Sequence, residues 1–134
     1  MFYLSFDGEV KTKEMIKGAK KLGKTIAVPF SKGRNIIEPC LLAGRLLKHK
    51  GFYGVSEPAV KKAINLEDLD AIIVPGVAFN KQGKRLGRGK GCYDHLLERL
   101  PKDTPCLGLA FDFQVLPQIP TNRRDQNVDK VIFA

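Results

Sequence analysis

The sequence has few cysteines and few histidines, and these shortages exclude several kinds of site. The three cysteines are Cys40, Cys92 and Cys106, and no two of them are closely spaced. Neither a disulfide framework nor a CxxC zinc or redox site is therefore indicated. The two histidines, His49 and His95, have no nearby cysteine to complete a metal set. Reduced thiols in a cytoplasmic protein are the simplest interpretation.

Targeting and membrane segments are also missing from the sequence. Residues 1–5 have neither the basic start nor the long apolar stretch of a signal peptide. Apolar runs such as residues 71–74 are far shorter than the roughly 20 residues that cross a bilayer. We therefore expect a cytoplasmic protein without a membrane contact.

Acidic residues are scarce relative to basic ones. The chain of 134 residues holds 14 Asp and Glu against 23 Lys and Arg, which gives a net charge of +9. This charge favours a polyanionic partner, such as a nucleic acid, a phosphate ligand or an anionic membrane, without choosing among them. A hydrophobic content of 43% argues against disorder, and the length suits a single domain, 1–134.

Strand and helix patterns alternate along the chain, which predicts an α/β fold with a mostly parallel sheet flanked by helices. Thr12 is expected to begin the first helix and Gly23 to end it, while Pro29 is expected to stop the second strand. The apolar face of that helix is predicted to consist of Met15, Ile16, Ala19 and Leu22. Strands are predicted at residues 2–5, 25–28, 35–42, 70–74, 106–111 and 128–133, and a second helix at 93–100.

Residues 83–91 carry the most chemical information. Glycines at 83, 87, 89 and 91 alternate with the cations Lys84, Arg85, Arg88 and Lys90, between a predicted strand and a predicted helix. Glycines let backbone N–H groups approach an anion closely, and a helix N-terminus adds partial positive charge. The spacing fits neither the Walker loop nor the dinucleotide motif. A polyphosphate-binding loop is favoured over a solvated basic loop or an RGG-like nucleic-acid contact.

The same region resembles a known enzyme family. The run VPGVAFN at residues 74–80, then Gly83, then RLGRGKGCYD at 85–94 is similar to the motif of the 5-formyltetrahydrofolate cyclo-ligases, also called methenyltetrahydrofolate synthetases. Residues 4–12, 23–29 and 54–58 and the C-terminal segment resemble the family as well. This resemblance implies a fold like that of the NagB, ribose-5-phosphate isomerase and CoA-transferase group.

The sequence departs from the family pattern in four respects. Asn80 replaces an Asp, Cys92 replaces the first Tyr of GYYD, and Ala134 stands where the family usually has an acidic ending. The chain also begins at the family's first strand, so we expect a domain without the N-terminal helical region that contacts ATP in the family.

The resemblance implies an ATP- and Mg²⁺-dependent conversion of 5-formyltetrahydrofolate to 5,10-methenyltetrahydrofolate. Its motif register assigns the catalytic role to Arg88 and Lys90, and Mg²⁺ binding to Asp94 and Asp125. ATP would contact Arg85, Leu86, Gly87, Arg88, Gly89, Lys90, Gly91, Cys92 and Tyr93. The folate, which can be polyglutamated, would contact Leu4, Glu9, Arg88, Gly89, Lys90, Gly91 and Cys92.

Other interpretations stay open on the sequence alone. Asp94 can simply favour the helix dipole, Asp125 can be an ordinary loop residue, and Glu9 can be a solvated turn residue. The chain can also be a non-catalytic relative that binds folate or nucleotide, or a nucleic-acid-binding module, although it has no recognisable RNA- or DNA-binding motif. A monomer or weak homodimer is expected.

Overall fold

A computed structural model describes residues 1–47 and 54–134, and His49 lies outside the described residues. The helices are α1 (Lys13–Lys21) and α2 (Cys92–Glu98). The strands are β1 (Ala27–Gly33), β2 (Ile36–Leu41), β3 (Leu46–Leu47), β4 (Glu57–Pro58), β5 (Ile72–Val74), β6 (Ala78–Phe79), β7 (Arg85–Leu86), β8 (Cys106–Ala110) and β9 (Lys130–Phe133). Short 3-10 turns span Leu66–Asp68 and Asp112–Gln114.

A parallel sheet forms the centre of the molecule, in the order β5-β8-β9. Residues 2–5 are not assigned as the predicted strand, but the chain start extends this sheet. The Met1 nitrogen donates to the Ala71 carbonyl and the Ile73 N–H donates to the Met1 carbonyl, which is the bonding pattern of a parallel pair. The Phe2 N–H in turn donates to the Ala27 carbonyl. The α/β prediction with a parallel sheet is confirmed.

The first helix begins and ends where the sequence predicts, although its capping differs in detail. Thr12 is the N-cap residue, but its hydroxyl donates to the Tyr3 carbonyl (2.7 Å) instead of capping the helix. At the other end Gly23 has φ 75°, and the Gly23 and Lys24 N–H groups satisfy the Lys20 and Ala19 carbonyls in a Schellman motif.

The predicted apolar face of α1 is only partly correct. Ile16 is buried and Ala19 is half-buried against Ile26 and Val28. Met15 and Leu22, however, are exposed. Helical spacing places them at the edge of the apolar stripe, where the sheet does not reach.

Pro29 does not end the second strand. Strand β1 runs on to Gly33 and pairs with β2 in an antiparallel hairpin in which Pro29 lies opposite Pro39. Neither proline has an N–H, so the two fit a position where the pair exchanges no hydrogen bond. Strand β2 likewise runs through Pro39 for the same reason. Asn35 closes the hairpin with φ 61°.

The predicted loop before α2 contains a small antiparallel hairpin, β6–β7. Its Phe79 is fully buried in the core. A Cβ at Gly76 or Gly108 would come within 2.6 or 2.5 Å of the Phe79 ring. These glycines therefore make room for the ring between the hairpin and β8.

The main core lies beneath this hairpin and α2. Its buried members are Ile72, Val74, Phe79, Leu96, Leu97, Ala110 and Val128.

Within residues 1–47 and 54–134, no helix combines the length and apolar character that a membrane span requires.

Candidate active site

A large cleft opens beside the carboxyl end of β5, with a volume of about 1310 Å³. Its walls are the turn at residues 6–9, the β1–β2 hairpin, residues 85–95 and the segment 120–126. The volume exceeds the roughly 300–1,000 Å³ of a typical single-ligand pocket, so the cleft can hold a large ligand or more than one.

The structure brings all of the sequence-predicted site residues to this one cleft. Its lining includes Leu4, Glu9, Arg85, Leu86, Gly87, Arg88, Gly89, Lys90, Gly91, Cys92, Tyr93, Asp94 and Asp125. Two of these residues come from the chain start and one from near its end. The fold therefore assembles the site from three separate parts of the sequence.

Glycines in the central segment serve two different purposes. Gly89 and Gly91 have φ values of 81° and 69°, with open space around both Cα atoms. Only glycine adopts this backbone readily, and the absent side chains leave the backbone open to a ligand. Gly87 instead makes room for a neighbour, since a Cβ there would lie 2.9 Å from Nη1 of Arg85.

Arg85 lies inside the cleft wall, with only 4% of its side chain exposed. Its Nη2 donates to Oδ1 of Asp94 at 2.7 Å, and its Nη1 donates to the Pro75 carbonyl at 3.3 Å. The same Asp94 oxygen accepts the Gln126 N–H at 3.0 Å. The ion pair thus ties β7, α2 and the C-terminal segment together, and it fixes the Asp94 carboxylate in the cleft.

Arg88, by contrast, is half-exposed in the cleft lining and reaches the turn at residues 6–9. Its Nη2 donates to the Asp7 carbonyl at 3.0 Å, and its Nε lies 3.7 Å from Oε1 of Glu9. The second Glu9 oxygen accepts the Phe6 N–H at 2.9 Å. Burial raises the pKa of Glu9, although the Phe6 N–H and the Arg88 charge oppose this. Glu9 is therefore a structured carboxylate and not a solvated turn residue.

Two further groups sit at the start of α2. Burial raises the pKa of Cys92, so this thiol is not an activated nucleophile. Burial also raises the pKa of Tyr93, and no described residue hydrogen-bonds its buried hydroxyl. Because an unpaired buried hydroxyl is costly, it is a natural point of contact for a ligand in the cleft.

The two predicted metal ligands, Asp94 and Asp125, both line the cleft, and their segments are joined by the Gln126 bond. One Asp125 oxygen accepts the Asn122 N–H at 2.7 Å. In the described parts of the chain no group of three or more His, Cys, Asp or Glu side chains can hold a metal. Two carboxylates nevertheless fit Mg²⁺, which keeps waters and takes its other ligands from substrate phosphates.

Several cleft residues are missed by the sequence analysis. Exposed arginines at positions 34, 123 and 124 add positive charge to the lining. Arg34 lies at the tip of the β1–β2 hairpin, and its position beside Gly33 and Asn35 is the signal that it belongs to a turn. Arg123 and Arg124 precede Asp125 in a polar run that indicates only a loop.

The opposite wall contains a buried carboxylate that the sequence does not single out. Glu57 is 8% exposed and accepts the Ser31 N–H at 2.6 Å and the Lys61 ammonium at 2.7 Å. Burial alone would raise its pKa, but these two donors outweigh burial and hold the pKa of Glu57 below its usual value. The Lys61 ammonium also lies 5.6 Å from the Phe30 ring centre.

Asn80, which departs from the family pattern, performs a structural task. It is buried, and its Oδ1 accepts the Gln82 and Lys84 N–H groups at 3.1 and 2.8 Å, closing the β6–β7 hairpin. An aspartate offers the same acceptor oxygen, so the exchange preserves the turn that presents Arg85.

Comparisons with known proteins place the chain in one family. The profile of the 5-formyltetrahydrofolate cyclo-ligase family matches residues 1–134. The 5-formyltetrahydrofolate cyclo-ligase of Mus musculus is 34% identical over an alignment of 143 positions, gaps included, that covers 98% of this chain and 70% of the mouse protein. That of Haemophilus influenzae is 35% identical, covering 92% of this chain and 68% of the bacterial protein.

Solved structures give the same result. The NMR structure of Aquifex aeolicus 5,10-methenyltetrahydrofolate synthetase superposes with a TM-score of 0.81 at 35% identity, covering 98% of this chain and 66% of the other. A Mycoplasma pneumoniae synthetase shares the fold, with a TM-score of 0.76 at 22% identity, covering 97% of this chain and 69% of the other. The sequence and the fold together show that the chain belongs to the 5-formyltetrahydrofolate cyclo-ligase family of ligases.

Proposed function

We propose that this chain converts 5-formyltetrahydrofolate and ATP into 5,10-methenyltetrahydrofolate, ADP and phosphate. The observation that carries the proposal is a single large cleft that gathers a basic, glycine-rich segment and two carboxylates. Family membership supplies the reaction, and the shape and charge of the cleft fit its two anionic substrates.

The chemistry requires a weak electrophile to be activated. The formyl group is an amide whose oxygen is a poor leaving group, and transfer of the γ-phosphoryl group onto that oxygen makes it a phosphate ester. The N10 nitrogen of the same molecule then attacks the formyl carbon and loses its proton to solvent, the ring closes and phosphate leaves. Because N10 and the formyl carbon belong to one molecule, the protein speeds ring closure mainly by holding these two atoms close together in the reactive orientation.

The roles of the basic residues follow from their exposure. Arg88 and Lys90 are exposed at the cleft, and we assign them to the charge of the transferred phosphoryl group. The open backbone at Gly89 and Gly91 is assigned to the triphosphate. Arg85 is buried against Asp94, so its proposed role is to hold that carboxylate in place.

Mg²⁺ would be held by Asp94 and Asp125 together with the ATP phosphates, and when bound it would neutralise part of the phosphate charge. Leu4 and Glu9 are assigned to the folate side of the cleft, and Tyr93 to ATP. The exposed arginines at positions 123 and 124 are suited to anionic groups at the cleft rim, including a polyglutamate tail.

The test is turnover by the purified chain with 5-formyltetrahydrofolate, ATP and Mg²⁺, followed by the absorbance of the methenyl product and by ADP release. We expect activity that needs all three components and falls at least about 100-fold in Lys90→Ala, because one electrostatic contact to the transition state is typically worth that much. The matched control is Lys20→Ala, on α1 and outside the cleft lining.

Two other results would support a different function. Binding of folate or MgATP in calorimetry without turnover would indicate a non-catalytic relative. Binding of neither ligand, combined with salt-dependent retention of RNA or DNA, would favour the nucleic-acid-binding hypothesis.

A further inference from the structure

The turn at residues 6–9 makes more contacts to Arg88 than a surface ion pair provides. Nη2 of Arg88 donates to the carbonyls of Asp7 (3.0 Å) and Phe6 (3.5 Å). The guanidinium carbon lies 5.4 Å from the Phe6 ring centre, within the range of a cation–π contact. Two backbone oxygens and an aromatic face therefore converge on one guanidinium group.

The backbone of this turn is itself held in place. Asp7 and Gly8 have φ values of 41° and 80°, and the Glu9 N–H donates to the Phe6 carbonyl at 3.3 Å. The Glu9 carboxylate in turn accepts a hydrogen bond from the Phe6 N–H at 2.9 Å. The Phe6 carbonyl is thus held by a bond within the turn and does not depend on Arg88 for its orientation.

The contacts to Arg88 differ in strength. The Asp7 carboxylate is 73% exposed and lies 3.4 Å from Nη1, so solvent screens it and it contributes little. The Phe6 ring is half-buried and lies within cation–π distance of the guanidinium, which is a contact that arginine favours. The Glu9 carboxylate is 15% exposed and lies 3.7 Å from Nε, too far for a hydrogen bond, so it attracts the guanidinium without fixing its plane. The Phe6 ring and the Asp7 carbonyl are therefore the groups best placed to set that plane.

We propose that Phe6 is a positioning residue for Arg88: its ring orients the guanidinium within the cleft, toward the phosphoryl group that is transferred. This inference rests on the proposed function for its catalytic consequence. The orientation of Arg88 by Phe6 in the free protein does not depend on that function.

The experiment compares Phe6→Leu, which keeps apolar bulk but removes the ring, with Phe6→Tyr, which keeps the ring. The matched control is Phe113→Leu, the same substitution at a phenylalanine that is 77% exposed and outside the cleft lining. We expect Phe6→Leu to lower kcat about tenfold with a smaller change in KM, and Phe6→Tyr to restore it. The control should match the unmodified protein.

A second measurement does not require activity. The side-chain Nε–Hε resonance of Arg88 is assigned by its disappearance in Arg88→Ala. It should shift in Phe6→Leu as the ring current is lost, and it should stay unchanged in Phe113→Leu. An unchanged resonance in Phe6→Leu, or a shifted resonance with unaltered kcat, would overturn the inference. A shift in a chain without turnover would reject the proposed reaction while supporting the positioning contact.

Discussion

Arg85 is predicted to be essential for stability, and its replacement by methionine separates that role from direct phosphate binding. The side chain is 4% exposed and its partner Asp94 is 19% exposed. Breaking a buried ion pair from one side costs about 3–5 kcal/mol, because the remaining charge is left without compensation. Asp94 keeps its bond from the Gln126 N–H, so we expect the lower end, about 3 kcal/mol, for Arg85→Met.

Urea unfolding followed by circular dichroism measures this loss. The control is Lys84→Met at the neighbouring exposed position, where the change should stay within about 0.5 kcal/mol. Adding Asp94→Asn to Arg85→Met should recover part of the stability, because the unpaired charge is gone. If Arg85→Met is as stable as the control and only weakens MgATP binding, Arg85 contacts phosphate directly and does not act by holding Asp94 in place.

Three further predictions concern stability and thiol chemistry. Gly83→Ala should lower the free energy of unfolding by about 3 kcal/mol, because its φ is 89° and a Cβ would overlap the Val128 carbonyl. Gly23→Ala should lower it by only about 1 kcal/mol, because its φ is 75° but the space around it is open. Thermal unfolding of the two variants measures the difference. Folding lowers the pKa of Glu57, so its carboxylate stabilises the fold above pH 4.5 and this contribution is lost as the pH falls. The difference in Tm between the unmodified protein and Glu57→Gln should therefore shrink in acid. Burial raises the pKa of Cys106 to about 11, so its alkylation should be slow at pH 8 and speed up toward pH 10, and rapid reaction at pH 8 would contradict this.

The sequence is most informative where burial is uniform or where a turn has specific chemistry. Strand β5 is predictable because both faces of the sheet are covered and its residues are continuously apolar. Gly23 is predictable because a Schellman motif needs a positive φ. The cleft residues are predicted to share one site only through the resemblance to the family. Hydrophobic periodicity carries no such information, because Glu9 and Asp125 lie 116 positions apart.

What the sequence does not show is which partner each polar residue takes. Arg85 looks like one cation among four, and only the fold places it against Asp94 and removes it from solvent. Pro29 looks like a strand terminator until Pro39 is found opposite it. In both cases the outcome depends on a residue nine or more positions away, and local preferences carry no information about such a contact.

Two parts of the structure carry a share of the positive charge of the chain, which is +9 overall. One part lines the cleft, where exposed cations at positions 34, 88, 90, 123 and 124 face a volume suited to anionic substrates. The other part lies on α1, where Lys13, Lys17 and Lys20 recur every three or four residues along one exposed stripe that adjoins buried Ile16. This spacing is typical of the solvated face of an amphipathic helix. Neither group of cations therefore requires a nucleic-acid partner to explain it.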